Sequence, residues 1–333
     1  MAETIEHEAG LVPGRQRGRP GPLRLRLATF VRRHKLAPYL LLLPAFAGVA
    51  LVVLWPLVQV IIFSFQNYGL PQITGALPTQ WVGFANFSTT FHDPEFWLSL
   101  RTSVLFALVA VPVTLLLGSI VGLLLNRLGK RMAVFVSTSA LLAWATPPVS
   151  AAVLFYWMFS PDGGVVDWAL AKLPHWLAGS TNWSTFNWAT NGALPAYVLI
   201  AVLVIWQAFP FVAVTVLAGL KTIPAELSEA ARVDGATSWR VFWRVTFPLM
   251  KPIYLVLLLL SVIWDFNIFT QSDIIAGLAN LNEYNLSLYI YDKAFTFPPS
   301  YGLGGALALI LAFILLVVTV GYVRASVKQG ALT

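Results

Sequence analysis

The chain of 333 residues is too apolar for a soluble domain, since 58% of its residues are hydrophobic, 11% are charged and its mean hydropathy is +0.76. Soluble domains carry about 25% charged and about 45–50% apolar residues. The net charge of +7 does not call for nucleic acid, because basic residues collect on the cytoplasmic side of membrane proteins. The lack of cysteine excludes disulfides and thiolate chemistry, and the four histidines are too scattered for a metal site. The composition therefore predicts an integral membrane protein.

Residues 1–36 are polar and rich in proline, glycine and arginine. Such a segment cannot bury enough apolar area to fold alone. We predict a disordered, basic tail on the cytoplasmic side.

The remainder, residues 37–333, is predicted to be an all-α, six-helix transmembrane domain, because a span needs about 20 apolar residues. Six stretches meet that length: residues 38–65, 102–126, 132–159, 195–220, 252–278 and 302–324. The third contains Pro147 and Pro148, and the fifth contains Asp265. Backbone groups freed by proline must be satisfied by neighbouring helices or water, so these two spans should face the interior of the bundle.

Lysine and arginine fall largely on one side of the predicted spans. That side holds the tail, residues 127–131, residues 221–252 and the C-terminal end. The other side holds only Arg101, Lys172 and Lys293. The positive-inside rule then places both termini and residues 221–252 in the cytoplasm.

The three predicted outside loops, residues 66–101, 160–194 and 279–301, are rich in tryptophan. Their tryptophans include Trp81, Trp97, Trp168, Trp176, Trp183 and Trp188. Tryptophan forms interfacial belts and is also favoured where proteins meet. The loops therefore form such a belt or contact an extracellular partner.

Residues 221–252, called the charged loop below, lie between the fourth and fifth predicted spans. Pro224 suits a first helical turn, which predicts a helix from Pro224 to Val233. Gly235 can adopt the left-handed conformation that ends a helix. The helix either rests on the membrane interface or meets a protein partner, and Glu229 favours the partner because anionic lipid would repel it.

A second helix is predicted in the same loop. Thr237 or Ser238 can cap its N-terminus. It should run to about Phe247 and stop at Pro248.

Nine residues of the charged loop form an ordered pattern: Glu229, Ala230, Ala231, Asp234, Gly235, Ala236, Phe242, Pro248 and Pro252. This pattern resembles the EAA signature of ABC importer permeases. Residues 81–87, WVGFANF, and residues 263–269, IWDFNIF, are similar to stretches of the MalF-type sugar permeases. The resemblance runs from about residue 38 to the end, without the extra N-terminal helices and long outside domain of the larger maltose-type permease.

The resemblance implies the type I importer permease fold in a bacterial inner membrane, with a di- or oligosaccharide or related sugar as substrate. It implies a second, MalG-like permease, two copies of a cytoplasmic ABC ATPase and an extracytoplasmic sugar-binding protein. The charged loop would carry the coupling helix that docks in the ATPase, with Glu229 pairing with a basic residue and Gly235 allowing the turn. This chain would then be non-catalytic and bind no cofactor, with ATP and magnesium on the ATPase.

Two segments contain glycines at spacings close to those of known motifs. Residues 122–131, GLLLNRLGKR, do not have the spacing or the final Ser or Thr of a phosphate-binding loop. Gly118 and Gly122 form a G-x-x-x-G pair that could let two helices pack closely, although such pairs are also frequent by chance in spans.

Polar and aromatic residues within the spans are candidates for the substrate pathway, because sugars need hydrogen-bonding groups beside an apolar surface. An aspartate in a span costs about 2.5–3.5 kcal/mol, which makes Asp265 the first of them. The candidates are Trp206, Gln207, Trp264, Asp265, Asn267 and Gln271, with Trp157 and Ser150 as weaker ones. Alternatively, Asp265 and Asn267 are packing contacts between two permease subunits.

Two alternative functions are a secondary transporter and a membrane-embedded enzyme. A secondary transporter would use Asp265 as its proton or sodium site. A membrane-embedded enzyme would need clustered carboxylates at one face, and the sequence suggests no grouping of the outside acids Asp93, Glu95, Asp162, Asp167, Glu283 and Asp292.

Overall fold

The computed structural model describes residues 37–179, 181–279 and 285–328. The predicted tail, residues 1–36, lies outside this range, as does Glu283. The chain divides into two units, residues 1–59 and residues 60–333.

The described residues are predominantly helical. The helices of the N-terminal half are α1 Ala37–Val49, α2 Trp55–Ser64, α3 Leu70–Ile73, α4 Ala85–His92, α5 Pro94–Arg127, α6 Lys130–Trp144, α7 Pro148–Met158, α8 Val165–Ala171 and α9 His175–Ala178. The helices of the C-terminal half are α10 Ala193–Thr222, α11 Ala225–Val233, α12 Ser238–Val241, α13 Phe247–Phe266, α14 Phe269–Ala279, α15 Leu286–Phe295 and α16 Tyr301–Lys328. Two short strands, β1 Gln66–Asn67 and β2 Gln80–Trp81, pair antiparallel in the first outside loop.

The first unit contains α1, a π-helical turn at Ala50–Leu54 and the beginning of α2. Together these segments supply the first candidate span, Leu41–Ser64. Its apolar side chains are exposed throughout residues 41–58. Such a surface suits lipid or the apolar face of another chain.

Five helical segments are long and apolar enough to cross a membrane, and a bent helix pair raises the number to six. The five are Leu41–Ser64, Pro94–Arg127, Ala193–Thr222, Ser238–Gly277 and Tyr301–Val327. The all-α prediction is confirmed.

The third predicted span differs from a single helix. It consists of α6 and α7, which meet at an angle of 91°. The break falls at Pro147, which has an extended ψ of 132°. The cause is local, because a proline disfavours the helical conformation of the residue before it and removes a backbone donor.

The second helix of the charged loop does not stop at Pro248, so that prediction is wrong. α12 passes through a π-helical turn, Phe242–Thr246, directly into α13. In that turn the N–H of Phe247 bonds to the carbonyl of Phe242. This wider turn places Pro248 in the first turn of α13, where its missing N–H disrupts nothing.

The core of the second unit is arranged around α5 and α10, the two longest helices. One buried cluster joins these two helices to α7 and α14, and it includes Phe106, Phe155 and Leu203. Another joins α5 to α13, α15 and α16 and includes Phe96 and Tyr289.

Gly118 and Gly122 bring α5 and α10 into close contact. A Cβ on Gly118 would meet Val212 and lie 3.0 Å from the carbonyl oxygen of Phe209. A Cβ on Gly122 would lie 2.8 Å from the carbonyl oxygen of Ala213. Of the two readings of this glycine pair, the structure therefore supports the close helix contact.

Replacing Gly122 with Ala is expected to destabilise the fold by roughly 1–3 kcal/mol, because the added methyl group overpacks the α5–α10 contact. Gly277→Ala is the matched control, since Gly277 is also helical and no described neighbour lies within 4 Å of its added Cβ. Thermal unfolding in detergent, followed by tryptophan fluorescence, measures both variants. Equal unfolding midpoints for the two variants would contradict the role of Gly122.

Candidate functional site: the helix breaks and the charged loop

Gln207 on α10 lies between two broken helices. Its Nε2 donates a 2.7 Å hydrogen bond to the carbonyl oxygen of Thr146, at the break between α6 and α7. Its Oε1 accepts a 3.2 Å bond from Gln271 Nε2, four residues beyond the break at Asn267. The side chain of Gln207 is only 9% exposed. One buried amide therefore connects both breaks.

The second break, between α13 and α14, frees further carbonyl groups. Asn267 ends α13 with φ −106° and ψ 25°, and its Nδ2 donates back to Ile263 O at 2.8 Å. Ser287 Oγ donates to Phe266 O at 2.7 Å, and Asn285 Nδ2 donates to Ile268 O at 3.3 Å. Side chains thus satisfy the backbone where the helix is interrupted, as hydrocarbon requires.

The two candidate tryptophans lie in different aromatic groups. Trp206 packs against Phe155, with ring centroids 5.2 Å apart. Trp264 meets Phe211 edge-on at 5.3 Å, and Phe211 in turn stacks on Trp144 at 5.5 Å. The contacts of Trp264 therefore lead to the end of α6, beside the first break.

Asp265 is 4% exposed. Its Oδ2 has no hydrogen-bond partner among the described residues. The same holds for the buried Oγ1 of Thr114 on α5. A buried carboxylate oxygen without a partner is costly, and Asp167 Oδ2 shares this property among the described residues.

The structure thus joins Gln207 and Gln271 directly, whereas Asn267 bonds to its own helix. The weaker candidates Trp157 and Ser150 are both exposed.

Sequence reasoning missed Thr146, although the adjoining prolines indicated that a carbonyl would be freed there. It also missed Asn285 and Ser287, for which no periodic pattern gave a signal. The substrate role of all these residues stays a prediction.

Gln207→Leu is expected to destabilise the chain by about 1–3 kcal/mol, because the freed Thr146 carbonyl would lose its donor. Gln271→Leu should cost less, since it leaves the Gln207–Thr146 bond in place. Thermal unfolding of the two variants tests this order. A loss for Gln271→Leu equal to or larger than that for Gln207→Leu would refute it.

The first helix of the charged loop, α11, ends in a Schellman motif. The N–H of Gly235 donates to Arg232 O at 3.0 Å, and the N–H of Ala236 donates to Ala231 O at 2.9 Å. Gly235 has φ +82°, so its predicted left-handed conformation is confirmed. This geometry joins α11 to the next helix through a defined turn.

The second helix of the loop is capped by Thr237, whose Oγ1 accepts a 3.4 Å bond from the N–H of Arg240. Of the two predicted caps, Thr237 is therefore the N-cap, and Ser238 is the first residue of the helix. The outer face of α11 presents Glu229 and Ala230 to solvent, and Val233 is 87% exposed. An apolar and a charged group are therefore displayed together on a short, fixed helix.

On the predicted outside face, the neighbouring acids Asp93 and Glu95 share one lysine from a distant part of the chain. Lys293 Nζ lies 2.8 Å from Glu95 Oε2 and 3.8 Å from Asp93 Oδ2. Tyr289 Oη donates to the same Asp93 oxygen at 2.6 Å. The prediction that the outside acids are ungrouped is wrong for this pair. Since a lysine pairs with both carboxylates, the group ties α15 to the start of α5 and does not resemble an acid–base site.

The second outside loop contains a buried carboxylate within an aromatic cluster. Trp188 Nε1 donates to Asp167 Oδ1 at 2.6 Å, and Trp188 packs against Trp183 and Phe159. Burial raises the pKa of Asp167, and the bond from Trp188 opposes this to a smaller extent. Trp176, in contrast, is exposed, as expected for an interfacial belt.

Asp167→Asn is expected to raise thermal stability at neutral pH, because it keeps an acceptor for Trp188 and removes a buried charge. The folded pKa exceeds the usual 3.8, so wild-type stability falls as pH rises from about 3.8 through the folded pKa. The advantage of the variant should therefore vanish near pH 4, where the wild-type carboxyl is also neutral.

Melting curves at several pH values measure this difference. Asp162→Asn, at an exposed acid of the same loop, is the control and should leave the melting curve nearly unchanged. An Asp167→Asn effect that is independent of pH would show that burial of the charge is not the cause.

Comparison with known proteins identifies the chain. Residues 114–330, more than half of its length, match the family described as the binding-protein-dependent transport system inner membrane component. The chain belongs to this family. The matched region contains both helix breaks and the whole charged loop, so the family predicted from the EAA pattern is confirmed.

Two curated relatives span nearly the whole permease. The diacetylchitobiose uptake system permease protein of Streptomyces coelicolor is 38% identical, covering 94% of this chain and 92% of the relative. The sulfoquinovosyl glycerol transport system permease protein of Agrobacterium fabrum is 33% identical, covering 87% and 90%.

A solved structure shares the fold of this permease. It is the bacterial alginate ABC transporter in complex with an alginate pentasaccharide-bound periplasmic protein, whose matching chain has a TM-score of 0.69. The sequence identity is 21%, and the match covers 90% of this chain and 97% of that one. This chain is therefore an inner-membrane permease of an ATP-driven importer with the type I fold. Membership implies, in general terms, a partner permease, an ATPase and a binding protein.

Proposed function

We propose that this permease carries a di- or oligosaccharide, or a related sugar, across the inner membrane. The relatives named for sugar derivatives support this substrate class. A second, MalG-like permease would complete the pathway, two copies of a cytoplasmic ABC ATPase would drive it, and an extracytoplasmic sugar-binding protein would deliver the sugar.

The observation that carries the proposed mechanism is the continuity between the charged loop and the transmembrane bundle. The helical path runs without interruption from Ser238 through the π-helical turn to Phe266. At 1.5 Å per residue it is about 40 Å long, and it ends at the Asn267 break. A displacement of the loop is therefore passed along a stiff helix to the residues around Gln207.

The face of α11 that presents Glu229, Ala230 and Val233 is proposed to dock in a groove of the ATPase. Ala230 allows close approach, Val233 supplies apolar area, and Glu229 offers a carboxylate to a basic partner. Closure of the ATPase dimer on ATP would then move this face and swing the bundle from inward-open to outward-open. ATP and magnesium would bind to the ATPase, and this chain would perform no catalytic step.

The proposed orientation places both termini and the charged loop in the cytoplasm. It is supported by the Lys and Arg distribution, which leaves three basic residues in the predicted outside loops. The basic residues of the segment 1–36 would then lie near the anionic inner leaflet.

The substrate pathway is proposed to run past the two helix breaks. Its candidates are Trp206, Gln207, Trp264, Asp265, Asn267 and Gln271. Broken helices at the bilayer midplane are typical of substrate sites in transporters, because they expose backbone groups to a cavity. The amides near Gln207 and the ring of Trp264 supply the polar and apolar contacts that a sugar needs.

Glu229→Lys is expected to uncouple transport while leaving membrane insertion intact, because it reverses the charge offered to the ATPase. ATP-dependent sugar uptake should fall at least about tenfold, as for loss of a buried charged pair worth 2–5 kcal/mol. Uptake in proteoliposomes containing all four kinds of subunit measures this. Glu226→Lys makes the same charge change one turn earlier, and an equal loss there would contradict a specific role for Glu229.

Gly235→Val tests the turn in the same assay. A β-branched side chain strongly disfavours φ +82°, so the turn should distort and uptake should fall. Gly129→Val is the control, because Gly129 has φ −60° and open space around its Cβ. Full uptake by Gly235→Val would show that the turn geometry is not needed.

The secondary-transport alternative makes the opposite prediction for the energy source. Uptake would persist without the ATPase, would collapse with the ion gradient, and would be lost in Asp265→Asn. Under the proposed function, wild-type uptake requires ATP and survives dissipation of the gradient by ionophores.

A further inference from the structure

A cleft of about 900 Å³ opens between α5, α13 and the charged loop. Its volume lies at the upper end of the range of about 300–1,000 Å³ for small-molecule sites. It lies at the cationic end of the spans and is separate from the residues around Gln207. None of the pathway candidates lines it.

One end of the cleft is cationic. Arg127 at the end of α5, Arg232 on α11 and Lys251 on α13 all line it. No carboxylate lines the cleft, and the ion pairs found within the described residues all involve Lys293. Three cations from three helices thus line one cleft without a counter-ion from the described part of the chain, which favours an anionic group.

The walls of the cleft are apolar and continue into the span region. Leu116, Ile120 and Leu258 line it and are exposed, Leu116 to 60%. These residues belong to spans that are otherwise covered by hydrocarbon or by protein. The occupant must therefore be apolar along this part of the cleft.

An aromatic row lies near the boundary between the charged loop and the fifth span, with Lys251 between it and Leu258 along the same helical path. Trp239, Trp243 and Phe247 follow one another at four-residue intervals, with ring centroids 5.6 and 5.0 Å apart. All three line the cleft. Tryptophan at such a boundary is typical of the level of lipid headgroups.

The cleft uses a different face of α11 from the proposed ATPase contact. Ser228 and Arg232, one turn apart, line the cleft. Glu229 and Val233 are rotated by about 100° from them, since successive helical residues turn by that angle. A partner on the Glu229 face would leave the cleft open to the membrane.

We propose that the cleft binds one anionic phospholipid of the membrane. The phosphate pairs with Arg127, Arg232 and Lys251 beside the tryptophans, and an acyl chain extends from there along Leu116 and Leu258. Basic pockets between spans are a known kind of site for anionic headgroups. The bound lipid would hold the base of the charged loop against α5, and this role does not depend on which sugar is transported.

Native mass spectrometry of the full chain, purified with its partner subunits, tests the proposal. Phosphatidylglycerol and phosphatidylcholine of equal chain length are added in parallel, with inorganic phosphate as a third probe. The test variant is the triple Arg127→Gln, Arg232→Gln, Lys251→Gln. The control triple, Lys130→Gln, Arg131→Gln, Lys221→Gln, removes the same charge from the same end of the spans outside the cleft.

Wild-type protein should retain phosphatidylglycerol in preference to phosphatidylcholine, and the test triple should weaken that retention at least about tenfold, given roughly fivefold per basic residue. The control triple should change it less than about threefold. Ile120→Trp, which fills the apolar part without changing charge, should also reduce retention of phosphatidylglycerol.

Equal retention of the two lipids, or equal losses for the two triples, would overturn the proposal. Binding of inorganic phosphate that is unaffected by Ile120→Trp would identify a phosphate site in place of a lipid site. Protection of the cleft by a partner subunit, detected by crosslinking from Trp239→Cys in this cysteine-free chain, would identify a protein interface instead. The lipid assay reads no transport, so its failure leaves the proposed function standing.

Discussion

The central constraint on this protein is that every backbone polar group in the hydrocarbon must find a partner inside the protein. Two helices are nevertheless broken within the span region, at Pro147 and at Asn267. Gln207 helps to satisfy this constraint at the breaks. Its amide donates to the carbonyl oxygen of Thr146 at one break and accepts from Gln271 beyond the other. The interrupted helices are therefore held together by a few side-chain hydrogen bonds, which can be exchanged more readily than a continuous helical ladder.

The rest of the bundle supplies a rigid frame around this junction. Gly118 and Gly122 let α5 and α10 approach until backbone and side chains touch, and the Lys293 pairings hold the start of α5 to α15. The uninterrupted helical path from Ser238 to Phe266 packs against this frame. The π-helical turn at Phe242–Thr246 is what allows a proline-containing segment to remain continuous.

The charged loop combines two surfaces on one short element. The face with Glu229 and Val233 is turned outward, whereas Ser228 and Arg232 turn toward the cleft beside α5. Under the two proposals made above, the ATPase would contact the first face and a lipid would support the second. The Schellman motif at Gly235 keeps both surfaces in a fixed relation to α12, because its two hydrogen bonds define the turn between α11 and α12.

The amino-acid sequence by itself determined the membrane class, the approximate spans, the left-handed Gly235 and the family, because hydropathy, glycine conformation and the EAA pattern are local properties of consecutive residues. It also indicated that Gln207 and Asp265 matter, since polar groups in a span are costly. Only the tertiary structure decided that α6 and α7 meet at 91°, that Pro248 does not end its helix, and that Asp93 and Glu95 share Lys293. The bend at Pro147 and the π-helical turn before Pro248 depend on local backbone geometry that hydropathy does not record. The Lys293 group depends on partners far apart in the chain, since Glu95 and Lys293 are 198 residues apart. Periodicity along a single segment carries no record of such partners.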